Sequence, residues 1–94
     1  MSEVISAAVA ALRVKVPNFD GVAKFVIPGE GSIMMDQAGV RAGDEEAEVT
    51  MTASAEVFQA ILAGEMNPTM AFMTGKLSVD GAMGLAMKVG AALG

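Results

Sequence analysis

The stretch GEMNPTMAFMTGKLSVDGAMGLAMK, residues 64–88, decides the fold. Gly64 stops a preceding helix, and Asn67 before Pro68 supplies a cap and a first helical residue. The short helix that follows carries Met70, Phe72 and Met73 and ends at Gly75. Lys76 to Asp80 reads as a strand with Leu77 and Val79 inward, and Asp80-Gly81 turns into a terminal helix through Met83, Leu85, Ala86, Met87 and Val89. Five of the nine methionines (Met66, Met70, Met73, Met83 and Met87) fall on the two helices that flank this strand. A thioether on three rotatable bonds fills irregular space and re-packs around variable ligands, so the cluster marks either a Met-rich core or an adaptable binding surface. Gly84 and Gly90 in the terminal helix each cost about 1 kcal/mol relative to alanine, which predicts a close approach by the sheet or by a ligand.

Upstream, Val4, Ile5, Ala8, Val9 and Leu12 share one helix face, with Ser2 as cap, and predict a helix over residues 3–15. Pro17-Asn18 and Asp20-Gly21 break it. Ala23, Phe25 and Ile27 then alternate with Lys24 as in a half-buried strand. Pro28-Gly29-Glu30-Gly31 turns the chain into a second strand at 32–37, with Ile33 and Met35 opposite Asp36. Residues 38–45 have room for one more short strand. Ala47, Val49 and Met51 alternate with polar residues in the next strand, and Ser54 caps a helix whose buried face is Val57, Phe58, Ile61 and Leu62. Strands and helices are largely segregated. That order predicts an α+β fold, a mainly antiparallel sheet of about five strands covered by helices, in one domain over residues 1–94.

Composition narrows the function. Apolar residues make up 53% of the chain and charged residues 18%, the balance of a core-rich globular domain. A net charge of −5, with only six Lys and Arg, argues against nucleic acid and leaves at most transient contact with a membrane. No apolar run approaches the roughly 20 residues that span a bilayer, and Glu3 stands where an export signal would be basic, so the expected location is cytoplasmic.

Cysteine, tyrosine, tryptophan and histidine are all missing, which removes thiolate chemistry, the commonest general acid–base group and the commonest metal ligand. None of Ser2, Ser6, Ser32, Ser54 or Ser78 lies in a nucleophile-elbow context. The acidic run Asp44, Glu45, Glu46 and Glu48 lacks the spaced loop that hard cations occupy and reads as a solvated turn. Gly29 and Gly31 lead into a strand, so they present no helix terminus to a phosphate. No catalytic residue, metal site or cofactor is expected, and an enzyme is the least favoured class.

Residues 64–88 also resemble the signature of the sterol carrier protein 2 family, in which a Gly, an Asn-Pro or Asp-Pro pair, Ala-Phe, Gly-Lys-Leu, a Gly and Met-Gly-Leu-Ala-Met-Lys occur in this order. The Lys24-Phe25 strand and the Ala47-Glu48-Val49-Thr50-Met51 strand look like the same family, so the resemblance covers most of residues 20–90. It implies an α/β sandwich-like domain with an apolar tunnel for sterols, fatty acids, fatty acyl-CoA or phospholipids. The segment from Pro28 to Gly43 looks shortened and the sequence ends soon after Lys88, which bears on the width of the tunnel mouth. The acidic balance and an ending, Ala91-Ala92-Leu93-Gly94, unlike a peroxisomal signal look like a free-standing bacterial member, with an acyl chain favoured over a sterol.

The expected ligand is therefore a lipid or fatty-acyl chain held by Phe25, Ile27, Ile33, Met35, Met51, Phe58, Met66, Met70, Phe72, Met73, Met83 and Met87. Lys76 and Lys88 are candidate head-group partners or plain solubilising lysines. The rival reading is a protein-interaction module that uses the same Met-rich surface for a partner or for a homodimer.

Overall fold

Helix α1, Glu3–Lys15, begins where the Ser2 hydroxyl accepts from the Ile5 N–H at 3.1 Å, and it buries Ile5, Ala8, Val9 and Leu12. A computed structural model describes residues 2–93; the terminal residues 1 and 94 of the expected domain lie outside it. After α1 come β1 (Ala23–Ile27), β2 (Gly31–Asp36), β3 (Gly39–Ala42), β4 (Val49–Ala53), α2 (Ala55–Leu62), α3 (Pro68–Met73), β5 (Leu77–Gly81) and α4 (Met83–Leu93). The five strands form one sheet in the order β3-β2-β1-β4-β5. Three of its pairings are antiparallel, and β1 with β4 is parallel.

The parallel pair exists because β4 does not follow β3 at the sheet edge but crosses two strands to reach β1. Parallel neighbours usually need a crossover of a dozen or more residues. Here residues 43–48 suffice, since three strand spacings are about 14 Å and six extended residues reach roughly 20 Å. This strap runs over the sheet face away from the helices. Gly43 and Glu45 lie on Met34, whose sulfur is 3.5 Å from the Glu45 nitrogen, and Lys24 Nζ meets Asp44 at 2.9 Å. The acidic run is thus largely partnered: Asp44 by Lys24, Glu45 by Arg41, and Glu48 by the Val22 N–H, which donates to its Oε1 at 3.0 Å. Met34 is fully buried although its β2 neighbours Ile33 and Met35 face the opposite, helix-covered side.

On that helix-covered side α1 and α2 close the half of the sheet built from β1, β2 and β3. Phe25 packs on Phe58 with ring centroids 5.0 Å apart, and Ile27, Ile33, Met35 and Ile61 are at most 1% exposed around them. Helix α3 lies over β5, and α4 lies over β4 and touches β1 and β5 on either side of it.

Asp36 closes the β2–β3 hairpin. Both its carboxylate oxygens accept from the Arg41 guanidinium at 3.1 Å, and Oδ1 also accepts from the Ala38 N–H at 2.9 Å. The Arg41 hydrogen bonds hold the Asp36 carboxyl below the usual range, against partial desolvation, which acts in the other direction. A carboxyl with a lowered folded-state pKa stabilises the fold above the unfolded value of about 3.9 and loses that effect as pH falls through the folded value. Asp36→Asn is expected to melt below the parent near neutral pH, with the two melting temperatures converging in strong acid. Thermal melts of both proteins across pH 2–7 check this.

Candidate functional site

The Asn67 side chain starts α3 by accepting from the N–H groups of Thr69 and Met70 at 2.8 and 3.2 Å, and Pro68 occupies the first turn, where a missing N–H is harmless. The chain then passes through β5 and returns as α4 over β4 and β5. Between the two helices and these strands the packing does not close, leaving a groove of about 590 Å³. That volume lies within the roughly 300–1,000 Å³ of small-molecule sites.

Its floor is Met51 on β4 with Val79 and Leu77 on β5; Met51 and Val79 are paired in register. Asn67, Pro68, Thr69, Phe72 and Met73 form one wall, and Met83, Ala86, Met87, Gly90 and Ala91 form the other. Among the described residues no lining side chain is charged, and polar side chains are confined to Asn67 and Thr69 at the start of α3. The void has a local cause: Ala86, Gly90 and Ala91 put almost no side-chain volume on the inner face of α4. Around it, large apolar groups face water, with Phe72 42%, Met83 49% and Met73 and Met87 each 73% exposed. Such an exposed apolar cluster on a small domain marks a contact or ligand site.

Of the residues expected from the sequence to hold a ligand, Met51, Phe72, Met73, Met83 and Met87 line this groove. Phe25, Ile27, Ile33, Met35 and Phe58 lie instead in the closed core, because α1 and α2 fill the space above their strands. Met66 is half-buried against that core, and Met70 lies on α3 outside the groove lining, 57% exposed. Leu77 and Val79 read as inward from the sequence but were not counted as ligand contacts. Asn67, Pro68, Thr69 and Ala91 gave no apolar signal, Ala86 read only as part of the apolar pattern of the terminal helix, and Gly90 read as a close approach by the sheet or by a ligand; small residues four apart at 86 and 90 were the available clue.

Lys88 turns away from the groove, with Nζ 3.4 Å from an Asp20 carboxylate oxygen and 5.8 Å from the centre of the Phe19 ring. Lys76 is exposed and does not line the groove either. The close approach expected at the helix glycines is absent at Gly84, which sits in the first turn of α4 with open space where a Cβ would be. Gly84→Ala is therefore expected to raise stability by about 0.5 kcal/mol, read from urea unfolding midpoints. At Gly90 a Cβ would meet only Pro68, across the groove at 4.0 Å. Few charges lie on the last third of the chain: residues 66–93 carry Lys76, Lys88 and Asp80, while the whole chain stands at −5.

The family model of the SCP-2 sterol transfer family matches residues 3–94. The chain belongs to this family. Among curated SCP-2 relatives it is 40% identical over 87 residues to hydroxysteroid dehydrogenase-like protein 2 of Xenopus laevis, covering 84% of this chain and 21% of that protein. This SCP-2 chain thus spans about a fifth of the length of that relative. Among solved structures, the sterol carrier protein domain 2 of Helicoverpa armigera superposes with a TM-score of 0.69 at 27% identity, over 95% of this chain and 81% of that one. Sterol carrier protein 2 of Aedes aegypti, solved in complex with palmitate, gives a TM-score of 0.77 at 22% identity, over 99% of this chain and 96% of that one. The SCP-2 fold expected from residues 64–88 is the fold observed, with a mixed sheet.

Proposed function

We propose that this SCP-2 domain is a non-catalytic lipid carrier that holds a fatty-acyl chain in the groove between α3, α4 and the β4–β5 floor. The observation that carries the reading is an uncharged, apolar groove left open by small residues on α4 and rimmed by water-exposed methionines. An apolar ligand would cover side chains that now face water. The palmitate held by the Aedes aegypti protein of the same fold supports an acyl chain as the occupant.

Burying about ten methylenes at about 0.8 kcal/mol each gives roughly 8 kcal/mol gross, which ordering costs reduce towards micromolar binding. Among the described residues no buried charge waits for a head group, so the polar end of the ligand stays at the mouth in water. Fatty acid, fatty acyl-CoA and phospholipid can share such a site, and a flexible chain suits it better than a rigid sterol. Loading from a bilayer would proceed by transient contact of the groove side, whose lining carries no charged side chain to oppose anionic lipid.

Calorimetric titration with saturated fatty acids from octanoate to palmitate, and with the matching alcohols, tests this. Affinity should rise with each added methylene, with a negative heat-capacity change and little difference between acid and alcohol. Lys76→Ala/Lys88→Ala should bind both alike, since Lys88 is committed to Asp20. Absence of saturable binding, together with a concentration-dependent dimer in sedimentation, would instead assign the Met-rich surface to self-association.

A further inference from the structure

Two-electron oxidants attack soft, exposed sulfur first, and this chain has no cysteine to take them, nor any tyrosine or tryptophan. Methionine is the only soft nucleophile present, and apart from the half-buried Met66 its described side chains are either buried or widely exposed. Met34 and Met35 are 0% exposed and Met51 3%, whereas Met70, Met73, Met83 and Met87 are 57%, 73%, 49% and 73% exposed. Among the described residues the four widely exposed thioethers all lie on α3 and α4, three of them in the groove lining.

From this division we infer that Met73, Met83 and Met87 are an oxidation site through which hydroperoxides block acyl-chain uptake by the ligand-free domain. The inference rests on the lipid-carrier reading of the groove. In the step itself a sulfur lone pair attacks one peroxide oxygen, the O–O bond breaks and an S–O bond forms. With hydrogen peroxide the other oxygen leaves as water after proton transfer; sulfur is oxidised and the peroxide reduced. The product replaces a flexible apolar thioether by a strongly polar sulfoxide. A groove whose affinity comes from apolar burial then presents polar oxygens to the acyl chain, and each must be desolvated or left wet when the ligand enters. The core is spared because Met34 lies under the strap and Met35 under the helices. Oxidation thus acts on the site and leaves the fold intact.

The test treats the ligand-free protein with dilute hydrogen peroxide, maps sulfoxides by peptide mass spectrometry, and measures palmitate affinity before treatment, after it, and after repair by methionine sulfoxide reductases of both stereospecificities. The expected result is modification of residues 70, 73, 83 and 87 ahead of 34, 35 and 51. It comes with at least about a tenfold loss of affinity, an intact far-ultraviolet spectrum, and recovery on repair. Unchanged affinity after full modification of the groove methionines overturns the inference while leaving the carrier reading in place. So does unfolding on oxidation, or a loss that repair does not reverse. If the untreated protein itself fails to bind palmitate, the carrier reading fails and the inference falls with it.

Discussion

Gly90→Phe is expected to lower affinity for palmitate by about 100-fold or more while leaving the domain folded. Gly90 lines the groove from the inner face of α4, and a Cβ placed there has only the Pro68 side chain within 4 Å, at 4.0 Å. A phenyl ring at this position therefore has the void to enter and little packed structure to displace. If it takes the space of four or five methylenes, about 3–4 kcal/mol of ligand burial is lost, or roughly a hundred- to a thousandfold in the dissociation constant. Stability should move the other way. Removing glycine from the helix gains a few tenths of a kcal/mol, and the ring covers Met73 and Met87 in place of the lipid. Calorimetry and a thermal melt on the same sample separate the two effects, and a parallel loss of both would mean that the groove is structural packing.

The largest loss of stability should come from Gly81→Ala, with a destabilisation of about 3 kcal/mol or more against the 5–15 kcal/mol typical of a domain. Gly81 ends β5 with φ +110°, a conformation that L side chains rarely adopt. Its Cβ would lie 3.0 Å from the Val49 Cα and closer still to the Glu48 carbonyl oxygen, so backbone rather than a movable side chain is in the way. Glu48 joins three elements there: its N–H donates to the Val22 carbonyl at 3.0 Å, its side chain accepts from the Val22 N–H, and its carbonyl accepts from the Ala82 N–H at 2.9 Å. Pushing it aside disturbs the start of β4, the parallel pairing with β1 and the entry to α4 together. Chemical unfolding of the variant measures the loss, and a change under 1 kcal/mol would show that this corner relaxes without cost.

Local signals identified most of the elements. Ser2, Ser54 and Asn67 all act as caps, and the alternation in residues 23–27, 49–53 and 77–81 marks strands with one buried face. The parallel pairing of β1 with β4 was not legible, because it depends on where a six-residue strap travels and no periodicity records that. Met34 illustrates the same point: strand alternation puts it on the face away from the helices, yet the strap buries it completely. Groove and core were also indistinguishable by pattern. Phe25 and Met51 are register partners on one face of the sheet, and only the placement of α1 and α2 over one half and α3 and α4 over the other makes one core and the other groove floor. The sequence reading favoured large apolar residues, whereas the void is made by the small ones, Ala86, Gly90 and Ala91. A missing side chain leaves no hydrophobic signal, and Gly90 pointed only to a close approach without saying whether sheet or ligand made it.

Native mass spectrometry of the purified protein, before and after addition of palmitate, decides whether the groove carries lipid. A carrier gives a single-occupancy adduct, either a copurified lipid that organic extraction releases or a saturable mass shift of one palmitate, absent in Gly90→Phe. A protein that stays ligand-free with palmitate, acyl-CoA and phospholipid, or that takes them up equally well with the groove blocked, would contradict the carrier reading.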